Sequence, residues 1–134
     1  MQINLGEFLH KNQTIAVALS GGSDSMALLD YMLANAEKYS INVIALNVEH
    51  GIRGQDSIDD TNFVKNYCDK NNVKLITYAV DCVKKASEEK LSLEQAGRIL
   101  RYQCFYDAID KGLCDKVATA HHQKDNVESV LFNL

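Results

Sequence analysis

The sequence predicts an α/β fold in which a mostly parallel, doubly wound sheet carries helices on both faces. Four apolar runs of strand length recur along the chain, and apolar residues at helical spacing lie between them. The runs are apolar throughout instead of alternating with polar residues, which is typical of strands buried on both faces. Strands that alternate with helices predict a parallel sheet covered on both sides.

The predicted strands cover residues 14–19, 41–48, 73–80 and 116–119. Helical spacing groups apolar side chains in four segments, which are Met26, Leu29, Leu33 and Ala36; Ile58, Thr61, Val64 and Cys68; Leu93, Ala96, Leu100 and Cys104; and Val127, Val130, Leu131 and Leu134. Ser57 is a candidate cap for the second helix. Ser92 and Gln95 form a capping-box pattern for the third, which Gly112 is expected to end. We expect the fourth helix to begin near His122 and the natural protein to continue past Leu134.

Size and composition limit the possible classes of protein. A chain of 134 residues supports one domain, and 14 basic against 18 acidic residues give a net charge of −4, so no overall basic field attracts nucleic acid. The four cysteines contain no C-x-x-C pair, which favours reduced thiols in a core over a zinc or redox motif. No apolar run reaches the ~18 residues of a membrane span, and we expect a cytoplasmic protein.

The loop after the first predicted strand reads S-G-G-S-D-S, from Ser20 to Ser25. Glycines let a ligand approach the main chain, and the amides that open the following helix favour an anion. Neither the lysine of a P-loop nor a G-x-G-x-x-G pattern is present. Asp24 would repel phosphate unless a cation such as Mg²⁺ lay between them, so the loop indicates metal-bound nucleotide. A tight turn with a helix cap is the simpler alternative.

Further polar residues follow the other strands at the same predicted edge. Glu49, His50 and Arg53 follow the second strand, while His121, Asp125 and Glu128 follow the fourth. On a helix, Asp125 and Glu128 would share a face, as a metal site requires; acidic residues at a capped helix start are the alternative. Glu94, Arg98 and Arg101 share a face of the third helix; they form either a surface ion pair or guanidinium groups facing phosphate.

Together these segments resemble a known family. S-G-G-S-D-S is similar to the PP-loop of the N-type ATP pyrophosphatases, and N-V-E-H-G-I-R-G, L-E-Q-A-G-R-I-L-R-Y and A-H-H-Q-K-D-N-V-E-S-V-L resemble the tRNA(Ile)-lysidine synthetase branch. The resemblance covers nearly all of residues 14–134. Lys124, Asn126 and Ser129 depart from the family's usual pattern, and Gly97 stands where alanine is commoner.

The resemblance implies residues 1–134 as an N-terminal ATP-binding domain, incomplete here, whose tRNA-binding C-terminal regions lie elsewhere. It implies a carbon–nitrogen ligase that uses ATP, Mg²⁺, free L-lysine and a tRNA(Ile) with a CAU anticodon, and it admits a homodimer. The pyrophosphate would be held by Ser20, Gly21, Gly22, Ser23, Asp24 and Ser25. Asp24, Asp125 and Glu128 would hold the metal, Arg101 and Arg98 would face the phosphates, and His121 would lie near the α-phosphate.

Three alternatives remain at this stage. A tRNA thiolase of the same superfamily also adenylates a base but delivers sulfur; relatives of that kind carry paired cysteines, which this sequence lacks. A non-catalytic nucleotide-binding module would need only the glycine loop. An α/β domain without a ligand would show no thermal shift with Mg-ATP.

Overall fold

In a computed structural model of the chain, residues 9–20, 22–50, 55–123 and 126–132 are described, with side chains for all of these except 55–57, 121–123 and 126–132. The strands are β1 Thr14–Leu19, β2 Asn42–Glu49, β3 Leu75–Ala79, β4 Lys116–Gln123 and β5 Asn126–Phe132. The helices are α1 Ser23–Tyr39, α2 Gln55–Lys70, α3 Cys82–Glu89 and α4 Leu93–Asp110. None of the helices in this described part is long and apolar enough to cross a membrane.

The five strands form one sheet in the order β3-β2-β1-β4-β5, in which the first four strands are parallel. Because β2 lies on one side of β1 and β4 on the other, the strand order reverses at β1. The start of β1 is joined to the start of β4 by two hydrogen bonds. Thr14 N donates to Asp115 Oδ2 at 2.8 Å, and Asp115 N donates to the Thr14 carbonyl at 2.8 Å. The predicted mostly parallel α/β sheet is confirmed.

Alternate residues of β1 enter two separate cores, one on each face of the sheet. Ile15, Val17 and Leu19 pack with residues of α1 and α2, such as Leu28 and Val64. On the opposite face, Ala16 packs in a cluster with Phe105 and Ala108 of α4. Both faces are therefore covered by helices, as the unbroken apolar runs predict.

The ends of α4 follow the chemistry that the sequence predicts. Ser92 Oγ accepts a hydrogen bond from Gln95 N at 3.1 Å, and Gln95 Oε1 accepts one from Ser92 N at 3.0 Å, so the capping box is formed. The helix ends at Asp110 with Lys111 as its C-cap, and Gly112 follows with a φ of +75°, a conformation that glycine adopts without strain. Both boundaries are confirmed.

One capping prediction is wrong. Helix α2 begins at Gln55, so Ser57 lies inside it and is not its cap. Helix α3 is an additional element that the sequence pattern did not indicate; it is short, and Asp81 caps it by accepting a hydrogen bond from Lys84 N at 3.0 Å. Leu93 and Ile58, which helical spacing groups with other apolar residues, are exposed.

The predicted helix from near His122 is also wrong. Strand β4 continues to Gln123, and β5 returns antiparallel to it, with His121 opposite Glu128. A short apolar run without a cap residue or a glycine does not distinguish a helix from a strand, and Val127, Val130 and Phe132 are residues that strands favour. Asp125 and Leu134 lie outside the described residues.

Candidate functional site

A cavity of about 190 Å³ opens at the carboxyl edge of the sheet. Its walls come from the ends of β1, β2 and β4, from α2, and from the middle of α4. In open α/β sheets, ligands bind beyond the carboxyl ends of the strands where the strand order reverses, and that position is β1 here. The cavity therefore lies where the fold itself predicts a binding site.

The loop after β1 is held by the hydroxyl of Ser25. Ser25 Oγ accepts a hydrogen bond from Ser20 N at 3.2 Å, donates to the Gly22 carbonyl at 3.1 Å, and lies 3.3 Å from Ser20 Oγ. Gly22 N in turn donates to Ser20 Oγ at 3.3 Å. Ser25 is buried, and both serines line the cavity. The two hydroxyls thus close the turn and reach the cavity together.

Helix α1 begins directly from this turn. Gly22 is its N-cap, with φ −79° and ψ 159°, and among the described residues no side-chain hydrogen bond caps the helix. The amides of a first helical turn favour an anion, because they lack partners within the helix and carry the positive end of its dipole. Asp24 lies in this first turn, half-buried, and is not among the residues that line the cavity. The turn resembles a phosphate-binding loop, and the carboxylate of Asp24 lies next to it.

A buried amide joins the three elements around the loop. Asn47 of β2 is 3% exposed, and its Nδ2 donates to the Leu19 carbonyl at 2.8 Å. Thr61 Oγ1 of α2 donates to Asn47 Oδ1 at 3.3 Å. A buried polar group without a hydrogen-bond partner destabilises the folded state. This network therefore fixes the end of β1 immediately before Ser20. Asn47 and Thr61 line the cavity, as does Asp60.

Helix α4 supplies a cationic and aromatic wall. Arg101, Tyr102 and Phe105 line the cavity, and the rings of the latter two pack edge to face with centroids 5.7 Å apart. Arg98 is not among the lining residues; its guanidinium lies 5.6 Å from the centre of the Tyr102 ring, a cation–π distance. Arg101 is therefore placed to meet an anion in the cavity, whereas Arg98 packs on the tyrosine.

His50 follows β2 and reaches the first turns of α4. Its Nδ1 lies 3.2 Å from Cys82 Sγ, and a Cβ built on Gly97 would lie 3.3 Å from that same Nδ1 and 3.6 Å from the sulfur. Cys82 is fully buried, and burial raises the pKa of its thiol; Asp81 raises it further, while Arg101 lowers it. The thiol is therefore neutral at physiological pH. His50 lines the cavity, and so does Glu49.

The predicted metal-binding set is only partly described. Asp24 lies beside the loop; Asp125, Gly21 and Arg53 lie outside the described residues. The backbones of His121 and Glu128 face each other across β4 and β5, in place of the expected helix. Among the side chains that the structure describes, no group of three histidines, cysteines or acidic residues could hold a metal ion.

Several residues of the cavity were missed by sequence reasoning, namely Asn47, Asp60, Thr61, Tyr102, Phe105 and Thr119. The first lies at the carboxyl end of β2, and an amide in an otherwise apolar strand was a usable signal. Thr119 also lies near the carboxyl end of a predicted strand. Nothing in the local pattern indicates that α2 brings Asp60 and Thr61 to the same edge.

A family model described as a PP-loop domain matches residues 1–134. A curated relative named tRNA(Ile)-lysidine synthase, from Clostridium tetani, is 36% identical over 126 residues, which are 94% of this chain and 27% of the relative. The Bacillus subtilis protein of the same name is 40% identical over 124 residues, 92% of this chain and 26% of that relative. The chain spans little more than a quarter of the length of these relatives.

A similar fold occurs in a solved structure, the U34-tRNA thiolase NcsA from Methanococcus maripaludis with its [4Fe-4S] cluster. The TM-score is 0.63 at 22% identity, and the match covers 84% of this chain and 40% of the thiolase. At that identity the likeness concerns the fold alone. The α/β architecture is therefore shared with a protein of low sequence identity.

Proposed function

This chain belongs to the PP-loop domain family, and from that premise we propose that it binds ATP for a ligase that joins lysine to the wobble cytidine of a tRNA(Ile) with a CAU anticodon. The supporting observation is the uncapped start of α1, where the hydroxyls of Ser20 and Ser25 meet at the cavity. The names of the relatives supply the tRNA(Ile) and the product lysidine. The free lysine, the wobble cytidine and the CAU anticodon come from the family resemblance.

The proposed reaction has two steps. First, O2 of the cytidine attacks the α-phosphate of ATP, so that a C–O–P linkage forms and pyrophosphate leaves. Second, the amino group of free lysine attacks C2 of the activated base, AMP leaves with the oxygen, and a proton is lost from the nitrogen. The product is lysidine. No covalent bond to the protein is required in either step.

Each described group has a task in this scheme. The amides at the start of α1 and the hydroxyls of Ser20 and Ser25 hold the pyrophosphate portion, which carries the charge that develops as it leaves. Arg101, on the facing wall, neutralises charge near the α-phosphate. The Asn47 network keeps the end of β1 fixed, so these donors are already oriented before the nucleotide arrives.

Mg²⁺ belongs to the proposal because a carboxylate stands beside the phosphate cradle. Asp24 would hold the ion, with Asp125 and Glu128 as the further ligands that the family resemblance implies. When bound, the ion would neutralise the phosphate oxygens and keep ATP in one orientation. His121 is assigned by the same resemblance to the neighbourhood of the α-phosphate. We place the reaction in the cytoplasm, where ATP, tRNA and lysine are available together.

The experiment uses the complete natural protein with Mg-ATP, a tRNA(Ile) transcript with a CAU anticodon, labelled lysine and, in a parallel reaction, a labelled sulfur donor. We expect lysine label in the tRNA, with one AMP and one pyrophosphate released for each lysine incorporated. A transcript with another base at the wobble position is the control and stays unlabelled. Sulfur label without lysine label would instead identify a thiolase.

Two further outcomes would also refute the proposed ligation. Binding of Mg-ATP without pyrophosphate release in the presence of the tRNA would leave a nucleotide-binding module. Absence of any thermal shift with Mg-ATP would leave an α/β domain with no nucleotide site, because a ligand that binds the folded state must raise its stability.

A further inference from the structure

Gly97 lies on the side of α4 that faces the cavity. It is buried, and Arg101, one turn further along the helix, lines the cavity. A Cβ at this position would lie 3.3 Å from His50 Nδ1 and 3.5 Å from His50 Cε1. The first distance is tighter than most Cβ contacts and the second is ordinary van der Waals contact, so a Cβ at position 97 would require the imidazole to shift by a few tenths of an ångström.

Cys82 contacts the same ring nitrogen of His50, next to Gly97. The contact between His50 Nδ1 and Cys82 Sγ is 3.2 Å, and Cys82 is 0% exposed. A neutral thiol can donate to an unprotonated Nδ1 or accept weakly from Nδ1–H, so the contact orients the ring in either tautomer. Cys82 is the first residue of α3, a helix held at its start by the Asp81 cap. The edge of the ring that carries Nδ1 thus lies against both α3 and α4.

The His50 side chain lies close to the loop that Ser20 and Ser25 form after β1. Leu19 pairs with Asn47, so His50 lies about two residues further along its strand than Ser20. At ~3.3 Å per residue and ~4.8 Å between strands, their Cα atoms are about 8 Å apart. Both residues line the same cavity. A nucleotide that rests its phosphates on Ser20 and Ser25 and fills the cavity would therefore extend to His50.

We propose that Gly97 and Cys82 are positioning residues for nucleotide binding, which together hold the His50 imidazole at the cavity wall against the nucleoside part of ATP. This inference rests on the proposed nucleotide site. It gives Gly97 a function in place of the weakened helix that its low helix propensity implies. The missing Cβ is what lets α4 approach the ring.

The test is a double-mutant cycle in the complete protein, with the Kd for Mg-ATP as the measured quantity. The four proteins are the wild type, Gly97→Ala, His50→Ala and the double variant. We expect Gly97→Ala to raise the Kd about tenfold, while its melting temperature stays equal or rises because alanine favours a helix. In the His50→Ala background the same glycine substitution should leave the Kd unchanged.

Gln103→Ala is the matched control, because Gln103 lies on the exposed side of α4 and does not line the cavity. It should leave the Kd at the wild-type value. An unchanged Kd in Gly97→Ala, or an equal rise in the presence and absence of His50, would overturn the proposal. The second result would mean that the added methyl group acts by lifting α4.

A conservative pair at Cys82 keeps the test decisive even if Gly97→Ala fails to fold. Cys82→Ser retains a donor and acceptor for Nδ1, whereas Cys82→Ala retains neither. We expect a near-normal Kd for the serine variant and a rise of about fivefold to tenfold for the alanine variant. Equal Kd values for the two would overturn the positioning by Cys82.

The outcome also separates this inference from the proposed function. Coupling between Gly97 and His50 in a protein that incorporates no lysine would support the positioning and refute the ligation. A wild-type protein that does not bind Mg-ATP would overturn both.

Discussion

Replacing Asn47 by alanine tests whether the buried amide network holds the nucleotide loop in place. The substitution removes the 2.8 Å hydrogen bond from Nδ2 to the Leu19 carbonyl and the 3.3 Å bond from Thr61. Loss of a partner for a buried polar group costs about 1–3 kcal/mol. The entropy of unfolding is about 2.1 cal/mol/K per residue, or about 0.28 kcal/mol/K for 134 residues. The melting temperature should therefore fall by roughly 4–11 °C.

Asn35→Ala is the matched control. Asn35 Nδ2 also donates to a backbone carbonyl at 2.8 Å, that of Tyr31, but within α1 and four residues away. We expect a cost below about 1 kcal/mol there, hence a shift of less than about 4 °C.

Calorimetry with and without Mg-ATP gives the second measurement. At a ligand concentration of 100 times Kd, binding stabilises the folded protein by about 2.7 kcal/mol. A tenfold rise in Kd in Asn47→Ala would remove about 1.4 kcal/mol of that, whereas Asn35→Ala should keep all of it. Equal shifts in the two variants, with unchanged ligand stabilisation in both, would refute the reasoning that Asn47 supports the site.

Three further predictions concern the metal, the thiols and one side-chain pair. Asp24→Ala should weaken binding of Mg-ATP much more than binding of ATP in EDTA, by titration calorimetry; equal weakening in both would remove the metal from the site. All four cysteines are buried, and burial raises the pKa of each thiol, that of Cys114 to about 11. A thiol reagent at neutral pH should therefore label none in the folded chain and four in denaturant, and rapid labelling of the folded chain would contradict this burial. Tyr78 Oη donates to Asp107 Oδ2 at 2.7 Å, and this bond, with a smaller effect of Lys111, lowers the pKa of the Asp107 carboxyl. Because the folded-state pKa is the lower one, the stabilisation is present above the ordinary carboxyl pKa and is lost as pH falls through the folded value. In urea unfolding at a series of acidic pH values, Tyr78→Phe should be less stable at neutral pH and lose less stability on acidification, and parallel pH profiles for the two proteins would argue against the bond.

The strands and the position of the site could be predicted because they depend on apolar runs and on chain order, which can be read without knowledge of tertiary contacts. Residues 14–19 form a largely apolar run. In the structure they form β1, whose side chains enter a core on each face of the sheet. The hydroxyls of the loop reach the cavity because parallel strands end at the same edge. That placement follows from chain order and residue type, whereas Arg101, which also lines the cavity, was assigned to the phosphates by the family resemblance.

The remaining features depend on contacts between distant segments. The residue that Asn47 contacts is known only when β1 and β2 are paired in register, and the contact between Gly97 and His50 only when α4 is packed against the sheet. For residues 126–132 the apolar spacing suits a helix and a strand equally, and the pairing with β4 decides between them. Local periodicity carries no information about such partners.

The pairing of β1 with β4 has a consequence for the order in which the protein matures. Thr14 and Asp115 are 101 residues apart, yet they bond to each other at the start of two adjacent strands. A ribosome adds about 5–20 residues per second, so the loop after β1 waits at least several seconds before its neighbouring strand exists. Until then the part of the cavity wall that Thr119 and Ala120 of β4 provide is missing. The cavity at the carboxyl edge is therefore complete only in chains whose sheet has closed.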